Sequence, residues 1–143
     1  MTPITPATRT WLDARHEAVL ITTRADGTPQ SSNVVFDAKD GVALVSVTAD
    51  RAKTRKLARS PRGVLHVLGD TFWQYAAITV DAELSPVTTA PGDPTGVELL
   101  ALYEAITGSP HPDPPEFLSA MVQEQRLVLR LTLLSAVGSG LPA

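Results

Sequence analysis

The sequence predicts a mainly β, α+β domain: a small antiparallel barrel of six or seven strands with short peripheral helices. Short β-branched or apolar runs recur along the chain, and Asp-Gly turns at residues 26–27 and 40–41 separate the first of them. Asp-Gly between two such runs is a strong hairpin signal, and successive hairpins give antiparallel pairing. The helical segments do not alternate regularly with the strands, so a parallel βαβ sheet is not expected.

The first half of the chain contains one predicted helix and three strands in meander order. Residues 7–16 follow a Thr- and Pro-rich lead and have helical composition. Residues 18–23 are a β-branched run that ends at the first turn, and residues 29–37 form the returning strand. Residues 42–47 follow the second turn and are apolar enough to predict a strand that is buried on both faces.

The second half mixes strands and helices less regularly. The basic segment 51–60 has helical composition, and Pro61 marks its end. Strand character returns in residues 63–68, 73–84 and 127–134. Helical patterns are found between and after two proline clusters, in residues 97–105 and 116–125. Residues 137–142 contain Gly and Pro, and we expect them to be irregular.

The composition is that of one globular domain. With 143 residues, 43% hydrophobic and 19% charged, we expect a lead at residues 1–9 and a single domain at residues 10–143. No apolar run approaches the roughly 18 to 20 residues of a membrane helix, and the start lacks the pattern of a signal peptide. The absence of cysteine excludes thiolate chemistry and predicts a cytoplasmic location. The formal net charge of -3 argues against general nucleic-acid binding.

The basic side chains are unevenly distributed along the chain. Six of the 12 lie close together with no acidic residue among them: Arg51, Lys53, Arg55, Lys56, Arg59 and Arg62. Like charges four residues apart on a helix repel by about 0.2–0.5 kcal/mol per pair, and cations in a first turn oppose the helix dipole. Asp50 or Thr48 could cap this end. A phosphate would make the arrangement favourable, because it would meet free N–H groups and basic side chains together. The alternative is a solvated basic face with intramolecular acidic partners.

Small polar residues interrupt the second predicted strand. Ser31, Ser32 and Asn33 have poor strand preference, and in alternation Gln30 and Ser32 share a face with Val34. Amide and hydroxyl groups both donate and accept hydrogen bonds, so such a strand could read the edge of a planar heterocycle. The alternative is an edge strand with one wet face.

Trp73 and Tyr75 are predicted to share one face of the strand at residues 73–84. Either the pair fills core space, or one side chain forms the wall of a flat ligand while the Tyr75 hydroxyl stays in water.

The sequence carries no self-sufficient catalytic motif. His16, His66 and His111 lack the spacing of metal ligands, and there is no Gly-x-Ser-x-Gly motif. We therefore predict no catalytic side chain and no metal ligand, and we expect a cofactor to carry any reaction.

Three segments together resemble the split β-barrel flavin and deazaflavin oxidoreductases, the superfamily of pyridoxine 5′-phosphate oxidase. They are residues 26–33 (DGTPQSSN), 51–57 (RAKTRKL) and 73–76 (WQYA). The chain looks most like the actinobacterial branch that uses the deazaflavin coenzyme F420, which the segments from residue 97 to 126 also resemble.

This resemblance implies a homodimer of split barrels with two cofactor sites at the subunit interface. It implies that Arg51 and Lys53, assisted by Thr54, hold the cofactor phosphate. The ring system would be lined by Pro29, Gln30, Ser32, Asn33, Ser46 and Val47. Trp73 and Tyr75 would help to close the site.

The activity implied is that of an F420-dependent reductase, which passes hydride to an unsaturated, conjugated small-molecule substrate. The additional basic residues Arg55, Lys56 and Arg59 suit a cofactor that ends in glutamates, which favours F420 over FMN. The alternatives are an FMN-binding protein on the same scaffold, of the pyridoxamine 5′-phosphate oxidase type, and a non-catalytic module that carries the coenzyme.

Overall fold

The computed structural model describes residues 2–143, which contain seven strands and four helices. The strands are β1 (Glu17–Thr23), β2 (Pro29–Val35), β3 (Asp37–Lys39), β4 (Val42–Thr48), β5 (Arg62–Leu68), β6 (Tyr75–Leu84) and β7 (Arg126–Ser139). The helices are α1 (Pro6–Asp13), α2 (Ala52–Arg59), α3 (Pro94–Thr107) and α4 (Pro114–Gln123). These elements confirm the predicted mainly β class with short helices.

All seven strands belong to one antiparallel sheet with the order β2-β1-β5-β6-β7-β4-β3. The sheet curls so that β2, at one edge, also approaches β4 near the other edge. This closure produces the predicted antiparallel barrel, with a split where β2 and β4 meet without pairing.

The predicted strand at residues 29–37 is divided into two strands. β2 ends at Val35, and after Phe36 the chain begins β3, which pairs with β4 on the opposite side of the split. Phe36 is completely buried at this crossing. The prediction of one continuous strand was wrong because the chain changes from one sheet edge to the other here.

The core lies inside the curled sheet and is built by strict alternation. In β1, β4 and β5 every second residue is buried, with Leu20, Val45 and Leu65 among them. The prediction that residues 42–47 are buried on both faces was therefore wrong. One face of β4 packs in the core, whereas the other carries Ser46 and is only half-buried.

The strands at the C-terminal side also differ from the prediction. β6 begins at Tyr75, and residues 70–74 form a turn in which Gln74 N–H donates to the Thr71 carbonyl at 3.1 Å. Trp73 and Tyr75 thus do not share a strand face, contrary to the prediction. β7 continues to Ser139, since residues 135–139 pair with the first half of β6, and the expected irregular tail is shorter than predicted.

The helices pack around the barrel. Leu12 of α1 and Ile4, in the predicted lead, both join the core. α3 packs on β7, where Glu98 pairs with Arg130 at 2.5 Å. No helix in residues 2–143 is long and apolar enough to cross a membrane.

Candidate cofactor groove

A groove of about 850 Å³ opens beside the split of the barrel, on the outward face of the sheet. Its walls come from the ends of β1, β2 and β5, from the middle of β4, from the first turn of α2 and from the connection before β1. This volume lies in the upper part of the range of small-molecule sites. Asn33, Ser46 and Lys53, which the resemblance assigned to the cofactor, line it together.

Lys53 defines one end of the groove and is held in an unfavourable electrostatic position. Its side chain is half-buried in the first turn of α2. Burial lowers the pKa of Lys53 below its ordinary value, and the positive charges of Arg51 and Arg126 lower it further. Both effects disfavour the ammonium form, so an anion at this position would relieve them.

The N-terminus of α2 has no side-chain cap. Arg51 is the N-cap residue and makes no capping hydrogen bond, and neither Asp50 nor Thr48, the two possible caps, takes this position. Thr48 instead uses its carbonyl oxygen to accept a hydrogen bond from the Thr54 hydroxyl at 2.9 Å, and Thr54 is buried. The N–H groups of the first helical turn therefore remain available to a ligand.

Arg51 and the basic side chains of α2 are not paired with acidic side chains in the described part of the chain. Arg55 donates to the backbone carbonyl of Asp50 at 2.5 Å, and Lys56 contacts the side-chain amide oxygen of Gln30. Among the six clustered cations, the described part of the chain gives an intramolecular acidic partner to Arg62 alone, which pairs with Asp81 at 2.6 Å.

Arg126 lies close to the Lys53 end of the groove, and the sequence analysis missed it. Its Nη1 donates to Ser46 Oγ at 3.1 Å, and its Nε donates to Glu124 Oε1 at 2.9 Å. These two bonds fix the guanidinium close to Lys53. No local pattern reveals this position, because Arg126 and Ser46 are 80 residues apart and meet only through the pairing of β4 with β7.

The polar strand β2 places its candidates on two faces. Asn33 is exposed and lines the groove, whereas Gln30 and Ser32 lie on the other face and are half-buried. Gln30 Oε1 accepts from Arg24 Nε at 3.3 Å as well as from Lys56. Pro29 is exposed at the far end of β2, opposite Thr23. Of these four residues, the structure brings Asn33 to the groove.

The remaining candidates from the sequence analysis lie at the rim or in the core. Val47 is only 2% exposed and belongs to the core. Arg51 is exposed at the start of α2. Trp73 is 74% exposed in the β5–β6 turn, edge-to-face with Phe72 at 4.9 Å. Tyr75 is half-buried next to the groove. Their assignment to the cofactor stays a prediction.

The end of the groove away from Lys53 contains further residues that the sequence analysis missed. His66 lines it from β5 and stacks on Tyr75, with ring centroids 5.2 Å apart and planes at 21°. Arg15 lies 4.3 Å above the Trp11 ring and pairs with Asp70 at 3.2 Å. His16 also lines the groove, but its Nδ1 lies 3.0 Å from the Phe36 carbonyl oxygen.

The outward face of the sheet carries exposed apolar side chains close to the groove. Val35, Leu68 and Val137 are 50%, 50% and 63% exposed, and they lie on the same face of the sheet as the half-buried Val19 and Val64.

Within residues 2–143 there is no group of three His, Asp or Glu side chains that could hold a metal ion.

The chain is similar to several solved structures of one architecture. An F420 reductase is 24% identical and aligns with a TM-score of 0.69 over 90% of this chain and 94% of its own. The haem storage protein HutZ of Vibrio cholerae is 15% identical, with a TM-score of 0.68 over 99% and 97%. A protein of Listeria innocua proposed to be a pyridoxamine 5′-phosphate oxidase is 14% identical, with a TM-score of 0.62 over 90% and 92%. No protein-family model matches the chain. These similarities show that the chain has the split-barrel fold.

Proposed function

We propose that this chain is an F420-dependent reductase that transfers hydride to an unsaturated, conjugated small molecule. The observation that carries the proposal is the half-buried Lys53, which faces a large groove from the uncapped first turn of α2 and has no acidic partner among residues 2–143. Such a position is costly without an anion and favourable with one. An F420 reductase among the proteins of the same fold supports this choice.

The residues of the groove fit a phosphorylated ring cofactor. Lys53 supplies positive charge at one end, Arg51 and Arg126 lie close enough to lower its pKa, and the free N–H groups of α2 add directional donors. Asn33 and Ser46 supply polar groups beside an apolar wall, the combination that orients a heterocycle. When bound, the reduced deazaflavin supplies hydride, and the protein's own contribution is to orient the reactants and exclude water.

The rest of the basic segment supports F420 over FMN. Arg55 and Arg59 are exposed beyond the phosphate end and have no acidic partner in the described residues. A cofactor that ends at one phosphate would leave these cations unused. A tail of glutamates, as in F420, would pair with them.

We also propose that the protein is a homodimer that buries the apolar outward face of the sheet. The groove opens on this face, so a second copy placed there would cover Val35, Leu68 and Val137 and close the groove at the same time. Val137→Glu should then dissociate the dimer, because it buries a charge in the interface. Val97→Glu, on the exposed surface of α3, is the matched control. Sedimentation that gives the same mass for both variants and the wild type would refute this interface.

Titration of the protein with oxidised F420, followed by quenching of coenzyme fluorescence, tests the function. We expect micromolar binding, and a loss of about 1–3 kcal/mol, or about 5- to 150-fold, for Arg51→Ala and for Lys53→Ala. Arg62→Ala is the control, since Arg62 already pairs with Asp81 at 2.6 Å. The absence of quenching at micromolar coenzyme would overturn the proposal, and preferential binding in a parallel titration with FMN would select the flavin instead.

A second candidate is a binding module that carries the coenzyme in the cytoplasm without turnover. It is favoured by one neighbour of the same fold, which is a haem storage protein. Coenzyme binding without oxidation of its reduced form by a panel of enones, quinones and tetrapyrroles would select this candidate.

A further inference from the structure

We propose that His66 is the proton donor of the proposed reaction. This inference rests on the proposed reductase function and assigns a role to a side chain that hydride transfer alone does not use. It follows from the position of His66, from the state of the other histidines and from the proton balance of the reaction.

The position of His66 is the first step. It lies on the outward face of β5, between Val19 of β1 and Ala77 of β6, so a strand on each side fixes its backbone. Its ring is half-buried, lines the groove and stacks almost parallel on Tyr75. The stacking holds one face of the imidazole while leaving the ring edge, with its nitrogen atoms, free to meet a ligand.

The other histidines are already engaged. His16 is held at Nδ1 by the Phe36 carbonyl, and the Asp37 carboxylate lies 3.8 Å from the same atom. His111 Nδ1 accepts the Asp113 N–H at 2.9 Å, in the connection between α3 and α4. Among the described residues, His66 is therefore the imidazole that lines the groove and forms no hydrogen bond within the protein.

The layout of the groove places His66 beside the space left for the substrate that accepts hydride. If the phosphate is held at the Lys53 end, the ring system extends past Asn33, and the substrate occupies the remaining end, beside His66 and Leu68. Leu68 supplies an apolar surface there, which suits an uncharged conjugated substrate. The titratable and charged groups that face this space are Arg15, His16, Glu17, Lys53 and Tyr75.

The chemistry requires a proton in addition to hydride. Addition of hydride to the β-carbon of an enone forms a C–H bond, breaks the C=C π bond and moves its electron pair towards the carbonyl. The imidazolium of His66 then gives its N–H proton to the α-carbon and becomes neutral, and it regains a proton from water. The substrate gains two electrons, which come from the reduced deazaflavin. A histidine suits this step because its ordinary pKa lies near neutral pH.

The test compares the wild type with His66→Gln, using reduced F420 and 2-methylcyclohex-2-enone. In the wild type we expect kcat to fall above the pKa of His66, as measured by NMR titration of its ring protons, and one configuration to predominate at the new α-carbon. In His66→Gln we expect at least a 10-fold lower kcat, no such pH dependence and loss of the preferred configuration, while the Kd for F420 changes less than 2-fold. His111→Gln removes a histidine away from the groove and should keep the wild-type pH profile.

The possible outcomes separate the two proposals. If the wild type binds and oxidises the reduced coenzyme but His66→Gln keeps its pH profile and stereochemistry, the assignment of His66 is wrong and the reductase function stands. If the kinetic pKa and the NMR pKa of His66 differ by more than about one unit, the assignment is also wrong. If the wild type does not bind F420, both proposals fail. His66→Asn provides a second variant should the glutamine variant misfold.

Discussion

Replacement of Lys53 by methionine should stabilise the protein while it removes an anion-binding group. The ammonium group is half-buried, lies near Arg51 and Arg126, and sits in the first turn of a helix without acidic residues. An unfavourable dipole interaction contributes about 0.3–1 kcal/mol, and the positive charges of Arg51 and Arg126 add to it. Methionine keeps an unbranched apolar stem of high helix propensity. We therefore expect Lys53→Met to raise the free energy of unfolding by about 1 kcal/mol.

Thermal unfolding followed by circular dichroism measures this gain as a rise in Tm of about 3 °C for a domain of this size. Arg59→Met is the matched control, because Arg59 lies in the last turn of the same helix, where a cation is favourable, and its loss should lower Tm slightly. Added inorganic phosphate should raise the Tm of the wild type, and that of Lys53→Met by much less.

The pH dependence gives the same prediction a second test. The pKa of Lys53 is lower in the folded state than its ordinary value of 10.5, so the unfolded state binds more protons between these two values. The free energy of unfolding of the wild type should therefore rise with pH in this window and approach that of Lys53→Met. A Tm for Lys53→Met at or below that of the wild type, with no difference from Arg59→Met, would show that Lys53 is not held in a repulsive position.

Two further predictions concern stability. Gly138→Ala should lower the free energy of unfolding by about 1–3 kcal/mol, because a Cβ at this position would overlap the backbone carbonyl oxygen of Tyr75 on the paired strand. Chemical denaturation measures this loss, with Ser139→Ala as the control. Equal denaturation midpoints for the two variants would contradict the register of β6 and β7. Asp93, the N-cap of α3, accepts hydrogen bonds from the backbone N–H groups of Thr89 and Gly96, which lower its pKa to about 2 from 3.8. Because the folded pKa is the lower one, the stability it contributes is present above about pH 4 and is lost as the pH falls to about 2, so acid titration of Tm should be less steep in this range for Asp93→Asn than for the wild type.

The strands and the basic segment follow from local sequence. The β-branched and apolar runs of β1 and β4 and the Asp-Gly turns that follow β1 and precede β4 are enough to predict an antiparallel sheet. The absence of acidic residues between positions 51 and 62 is likewise visible in the sequence, and it marks Lys53 as a candidate for anion binding. These features depend on neighbours within a few residues, which a single sequence displays directly.

Other features depend on contacts between distant segments, and only the tertiary structure decided them. Arg126 joins Ser46 and Lys53 because β7 pairs with β4, and His66 faces the groove because β5 lies between β1 and β6. Trp73 belongs to a turn that the Gln74 side chain stabilises. Gln74 Oε1 accepts a hydrogen bond from the Asp70 N–H, and Gln74 Nε2 donates to the Gly140 carbonyl. The sequence by itself thus determined the antiparallel strands and the clustered cations. The curl of the sheet determined which of these side chains share a groove, because long-range pairing, unlike local preference, leaves no signal in any short stretch of the chain.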